Sequence, residues 1–244
     1  MESIRINKYI SMCGICSRRE ADRLIEQGLV TIDGRTAGCG DKVADGQEVK
    51  VRGRKAEIIS GDSLKVYALN KPVGIISSMS DEQGEGLQRF VGKTGLRLYP
   101  VGRLDKDSQG LVLLTNDGAL AKGIMKAGEG HEKEYIVSVD NEITEEDLKA
   151  LESGVMIYNK ATDDMVRTVP CRCKRISRYT FSIVLIQGLN RQIRRMCESL
   201  GYSVVTLTRT RIMNIRLENL QSGEMREITG SELDELRKSV RSNG

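Results

Sequence analysis

The 244-residue chain predicts an α+β protein in two parts, a small unit over residues 1–60 and a larger one over 64–244. Three observations predict this. Helix-start and hairpin signals crowd into the first part. Strand patterns mixed with helical spacing fill the second. Between them, residues 52–63 are polar and basic and carry Gly53 and Gly61, which reads as a linker. A composition of 39% hydrophobic and 30% charged residues excludes a disordered chain. No apolar run approaches the roughly 20 residues of a membrane span. The N-terminus lacks the apolar core of a signal peptide. A cytoplasmic, monomeric protein without a membrane partner is expected.

In the first part, residues 7–12 form a short helical segment with Ile6, Tyr9 and Ile10 on one side. Ser17-Arg18-Arg19-Glu20 is a capping box, with Ser17 as N-cap and Glu20 three residues on. The helix that follows places Ala21, Leu24 and Ile25 on one face and Arg19, Arg23 and Glu26 on the other. Gly28 ends it, residues 29–32 are a strand, and Asp33-Gly34 is a hairpin turn.

The larger part opens with a strand from Lys65 that Pro72 ends. Residues 87–91 form a short helix in a glycine-rich loop that starts at Gln83. Next comes Val101-Gly102-Arg103-Leu104-Asp105-Lys106-Asp107-Ser108-Gln109-Gly110, followed by the apolar run Leu111-Val112-Leu113-Leu114. A polar loop against a stiff buried strand is a place where a scaffold can fix a reacting side chain. Asp105 stands between Arg103 and Lys106. On the residues alone, a surface loop with local ion pairs is an equal reading.

Residues 117–125 have helical spacing through Leu120, Ile124 and Met125. Tyr135, Val137 and Val139 alternate as in a strand. Residues 144–151 form a helix with an acidic first turn. Residues 165–173 and 180–186 read as paired strands with a basic turn between them. Asn190 caps a helix to Leu200, with Ile193, Met196 and Cys197 inward and Arg191, Arg194 and Arg195 outward. Residues 203–217 read as two strands, and 231–240 as a closing helix.

Charge is unevenly placed, although its net value is only +4. Arg167, Arg172, Lys174, Arg175 and Arg178 have no acid among them, and Arg191, Arg194, Arg195, Arg209 and Arg211 follow. Such a basic half suits a polyanionic partner, and a solvated face is the alternative. Cys13-x-x-Cys16 has metal-ligand spacing, but Cys171-x-Cys173 does not repeat it and His131 is the sole histidine. Small buried hydrophobes account for the first pair, so no metal is expected.

Gly102-Arg103-Leu104-Asp105, with Ser108-x-Gly110-Leu111-x-Leu113-Leu114-Thr115-Asn116-x-Gly118, resembles the central motif of pseudouridine synthases, most closely the branch acting on ribosomal RNA. Asn70-Lys71-Pro72-x-Gly74, Lys133-x-Tyr135 and Gly188-x-Asn190-Arg191-Gln192-Ile193-Arg194-Arg195-Met196 resemble its other motifs. Arg5-Ile6-Asn7-Lys8-Tyr9-Ile10 through Ser17-Arg18-Arg19-Glu20-Ala21 to Asp33-Gly34 resembles the S4 RNA-binding module. The resemblance implies an S4-like domain before a catalytic domain built on a mixed, mainly antiparallel sheet flanked by helices. It implies Asp105 as the residue that attacks the target nucleotide, Tyr135 packed against the base, and Arg194 paired with Asp105. Lys8, Arg18, Arg19 and Arg23 become candidate phosphate contacts, with Arg103, Arg191 and Arg195 beside the target. By composition alone a strand tyrosine is a core residue, and Arg19 and Arg23 are equally plain solvated cations. Ribosomal RNA is the implied partner, of the large subunit in the type F branch, with transfer RNA as a second one. The isomerisation oxidises nothing and donates no group, so no cofactor is expected. Two other classes fit parts of the pattern. One is a non-catalytic RNA-binding assembly protein, and the other is a phosphotransferase or nuclease using Asp105-x-Asp107 as a magnesium pair.

Overall fold

The computed structural model describes residues 3–80, 84–126 and 130–242. It contains two compact units. The first holds the described part of residues 1–65, together with Val91–Tyr99 and Thr115–Gly118. Its elements are β1 (Ile4–Arg5), α1 (Ile6–Met12), α2 (Arg18–Glu26), β2 (Val30–Ile32), β3 (Arg35–Thr36), β4 (Lys42–Val43), β5 (Val49–Val51) and β6 (Arg54–Lys55).

Local chemistry explains most of this unit. The Ser17 hydroxyl accepts the Glu20 N–H at 3.0 Å, as the capping box requires. Ala21, Leu24 and Ile25 turn into a core with Ile6, Ile10 and Val30. Asp33 and Gly34 both have positive φ, +50° and +83°, which suits the two-residue hairpin joining β2 and β3. Arg52 and Gly53, expected to open a linker, form a second such turn between β5 and β6, with φ of +51° and +77°. The polar composition there reflects hairpin geometry. Asn116 accepts the Lys65 N–H at 2.7 Å and donates to the Ser63 carbonyl at 2.9 Å, which adds its segment to this unit.

The second unit holds Val66–Phe90, Pro100–Leu114 and the described residues from Ala119 onward. Along the chain come β7 (Val66–Lys71), α3 (Gln88–Val91), β8 (Tyr99–Val101), β9 (Gln109–Thr115), α4 (Gly118–Met125), β10 (Lys133–Val139), α5 (Glu145–Ser153), β11 (Met156–Asn159) and β12 (Asp164–Arg167). After them come β13 (Arg172–Ser177), β14 (Thr180–Leu185), α6 (Gln192–Glu198), β15 (Val204–Ile212), β16 (Ile215–Arg216), β17 (Met225–Glu227) and α7 (Gly230–Ser242). The main sheet runs β13-β14-β10-β15-β9-β7-β17. It is mixed and mainly antiparallel, and β15 and β9 are a parallel pair.

Leu111, Val112, Leu113 and Leu114 are all fully buried in β9, as a strand covered on both faces demands. Two expectations are corrected, the single strand over residues 165–173 and the start of α6. Residues 165–173 are not one strand. Proline 170 lies in the break between β12, which pairs with β11, and β13, which pairs with β14. The two strands expected over residues 203–217 are present, as the long β15 and the short β16 that folds back on it. Met125 is exposed, and its sulfur accepts the Gly102 N–H. The α6 helix starts later than expected, because Arg191 takes the N-cap in a left-handed conformation and the Asn190 side chain turns to Arg195.

Candidate active site

The loop joining β8 to β9 carries Asp105, and four neighbours anchor it. Buried Ser77 accepts the Leu104 N–H at 2.9 Å and donates to the Leu104 carbonyl at 2.6 Å. The Gly74 N–H donates to the Lys106 carbonyl at 2.8 Å. From α6, Arg194 Nη2 donates to the Asp107 carbonyl at 2.9 Å and to Ser108 Oγ at 3.3 Å. From β15, Arg209 Nη1 donates to the Arg103 carbonyl of the loop at 3.5 Å, and its Nε to the Leu111 carbonyl of β9 at 2.7 Å. Gly110 must be glycine here. Its φ is +106°, and a Cβ would lie 2.3 Å from the Arg209 carbonyl oxygen.

Asp105 is left 31% exposed at a cavity of about 380 Å³, lined also by Val73, Gly74, Lys106, Asp107 and Arg191. The expected pair between Arg194 and Asp105 is not among the contacts of the described residues. Arg194 is buried, with Nη1 on the Val204 carbonyl at 3.0 Å and Nε 3.3 Å from Asp107 Oδ2. Arg191 comes nearest to Asp105, at 3.7 Å, while gripping Asp107 through both nitrogens at 3.1 and 3.0 Å. Burial works to raise the Asp107 carboxyl. The Arg191 hydrogen bonds and the charges of Arg194 and Arg191 outweigh it and hold the group below its ordinary range.

Beneath the loop lies Lys71, fully buried, its ammonium donating to the Pro72 and Ile75 carbonyls at 2.8 Å each. Burial first, and then the charge of Arg209, bring it down to about 8, against the pull of Asp105 and Asp107. Tyr135 of β10 is opposite Arg209 of β15, and Arg209 is opposite Gly110 of β9. One row across the sheet thus joins the candidate tyrosine to the motif strand. Tyr135 is half-buried against the core cluster of its own side.

The remaining candidates divide by their surroundings. Arg103 is exposed, as are Lys8, Arg18, Arg19 and Arg23 in the first unit. Arg18 reaches Asn7 at 3.3 Å and Arg23 pairs with Glu20 at 3.3 Å, both on the surface. Arg195 is half-buried and engaged by the Tyr158 carbonyl and Asn190 Oδ1, at 2.8 and 2.9 Å. The basic run around β13 is largely neutralised. Arg172, Arg175 and Arg178 pair with Glu132, Glu145 and Glu142, each at 2.6 Å. Arg211 is likewise held by Glu132 and Glu134. Cys13 and Cys16 pack on the first unit's core, and burial pushes both thiols up, Cys13 to about 11. Among the described residues, no group of three or more His, Cys, Asp or Glu is placed to hold a metal ion.

Sequence reasoning missed Ser77 and Arg209 as loop anchors and Asp107 as the acid that binds the arginines. The sole available signal for Asp107 was its place two residues after Asp105.

An S4-type unit followed by a mixed sheet that presents an acidic loop to helix-borne arginines matches known proteins. The family described as RNA pseudouridylate synthase covers residues 65–199, the S4 domain covers residues 4–49, and this chain belongs to that synthase family. It is a pseudouridine synthase, an isomerase. The chain is 50% identical over 238 residues to the dual-specificity RNA pseudouridine synthase RluF of Escherichia coli K12, covering 98% of this chain and 80% of that one. It is 34% identical over 235 residues to the ribosomal large subunit pseudouridine synthase B of Bacillus subtilis, covering 96% and 95%. A crystal structure of a pseudouridylate synthase, 28% identical, matches with a TM-score of 0.68 over 96% of this chain and 100% of that one.

Proposed function

We propose that this synthase isomerises uridine in large-subunit ribosomal RNA in the cytoplasm, with transfer RNA as a second substrate and Asp105 as the attacking group. The observation that carries the assignment of Asp105 is its half-exposed carboxylate, set on an otherwise tightly anchored loop at the mouth of a cavity. The reaction breaks the bond between ribose and uracil N1 and joins the sugar to C5. It requires a carboxylate, a rigid support for it, and a pocket that keeps the detached base. Tyr135 packs against that base. Arg194 acts as a positioning residue, tying the loop to α6 and β15. The target uridine leaves its stack to be reached, and exposed Arg103 meets the RNA beside the gap. Lys8, Arg18, Arg19 and Arg23 contact phosphates from the S4 unit. Arg191 also faces the RNA side of the cavity, whereas Arg195 has its donors engaged within the protein.

The substrate is tested by mapping pseudouridine in ribosomal and transfer RNA from cells with and without this protein. A large-subunit uridine that loses its modification is the expected result, and an unchanged map overturns the assignment. Activity of the purified enzyme should survive excess chelator, since the isomerisation needs no cofactor. Loss of activity in chelator would favour a metal-dependent reading of Asp105 and Asp107. Removing residues 1–60 should leave a folded catalytic part with weaker RNA binding and a shallower salt dependence. An insoluble product, or unchanged affinity in a filter-binding assay, counts against the division of roles.

A further inference from the structure

Arg191 sits in an unusual place for a surface cation. It is the residue before the first turn of α6, and its backbone is left-handed, with φ +51° and ψ +34°. A non-glycine residue in that region persists where its surroundings over-determine it. Its guanidinium is held by Asp107, through two hydrogen bonds of 3.1 and 3.0 Å. A fork-to-carboxylate pair of this kind fixes the plane of a guanidinium as well as its place. In that plane, Nη1 stops 3.7 Å from Asp105 Oδ2. The distance is too long for a hydrogen bond and short enough for charge attraction.

We propose that Asp107 is a positioning residue that keeps Arg191 beside Asp105 but out of hydrogen-bond reach, so that the Asp105 carboxylate is charge-compensated yet open to react. This rests on Asp105 being the attacking group. A carboxylate gripped bidentately by arginine has its lone pairs occupied and is a poorer nucleophile and base. Asp107 takes up that grip itself. Other charges stand near the same site: Lys106 on the loop, Arg194 from α6, Lys71 from β7 and Arg209 from β15. Arg209 is held by backbone carbonyls, and Arg194 by backbone carbonyls and Ser108 Oγ with its Nε near Asp107, whereas Arg191 gives both Nη atoms to the Asp107 carboxylate.

The test measures single-turnover rates at saturating enzyme against pH, for the full chain with its RNA substrate. Asp107→Asn should lower the plateau by about tenfold and move the acidic limb to lower pH, because Arg191 then closes on Asp105. Arg191→Lys should do the same, since a lysine cannot make the bidentate grip on Asp107 and its ammonium is released toward Asp105. The second variant keeps the test decisive if the first is unstable. The double variant Asp107→Asn with Arg191→Gln should be faster than Asp107→Asn alone, because nothing remains to close. A plateau that falls with an unmoved or raised acidic limb, or a double variant no faster than the single, overturns the proposal. Asp105→Asn is run alongside. If it is active, the assignment of Asp105 has failed. If it is dead while Asp107→Asn behaves as wild type, the failure belongs to the role of Asp107.

Discussion

Asp105→Asn is expected to yield a folded protein that binds RNA as before and makes no pseudouridine. The substitution keeps shape and removes the negative charge. Among the described residues the Asp105 carboxylate has one ion-pair contact, 3.7 Å to Arg191, and it is 31% exposed, so little folding energy rides on it. The loop around it is held by Ser77, Gly74, Arg194 and Arg209, none of which bonds the Asp105 side chain. An amide cannot supply the electron pair that the carboxylate brings to the detached sugar or base. Removing an attacking group of this kind costs on the order of 10⁴ or more in turnover. Nucleoside chromatography after a single turnover checks the rate, and thermal melting with a binding isotherm checks the rest. Product formed at near wild-type rate by the purified variant would remove Asp105 from the mechanism.

Arg194→Met is expected to lose more stability than Arg195→Met, and far more turnover. The two side chains are sequence neighbours in different settings. Arg194 is 9% exposed and donates to the Val204 carbonyl, the Asp107 carbonyl and Ser108 Oγ. Methionine has similar length and no donors, so three acceptors lose their partner, and Asp107 loses one of its two guanidinium neighbours. Breaking a buried charged network by removing one member costs about 3–5 kcal/mol. The loop bearing Asp105 then has no tie to α6 through this residue, and the single-turnover rate should fall with it. Arg195 is half-buried and makes two hydrogen bonds, to the Tyr158 carbonyl and to Asn190. Their loss costs about 1 kcal/mol each. Denaturant melts and single-turnover rates at saturating enzyme separate the two variants. Equal losses for both would show that the anchoring of the loop by Arg194 has no special weight.

By itself the sequence determined the features whose causes are local. A capping serine finds its partner three residues on, so Ser17 and Glu20 could be paired on paper. A two-residue turn needs positive φ at both positions, and Asp33-Gly34 announces it. Four consecutive apolar residues at 111–114 are affordable only in a buried strand, and all four are buried. The family resemblance of the motifs singled out Asp105, Tyr135 and Arg194, which lie on a loop, a strand and a helix, and the strand rows join Tyr135 through Arg209 to Gly110 of the motif strand.

Tertiary structure alone decided which charge meets which. The arginines of the β13 region are free of acids in sequence, yet Arg172, Arg175 and Arg178 find glutamates 30 to 40 residues away. Arg191 and Arg194 reach an acid more than 80 residues back, and it is Asp107 that holds both rather than Asp105. A local pattern shows that a residue is charged and which face it occupies. It carries no information on the ångström-scale placement that ranks two carboxylates only two residues apart. That placement comes from the register of β15 against β9, from the backbone carbonyls that orient Arg194, and from the left-handed turn at Arg191. Coulomb attraction and hydrogen bonding depend steeply on such distances, so the pairing is settled only when the fold has closed around it.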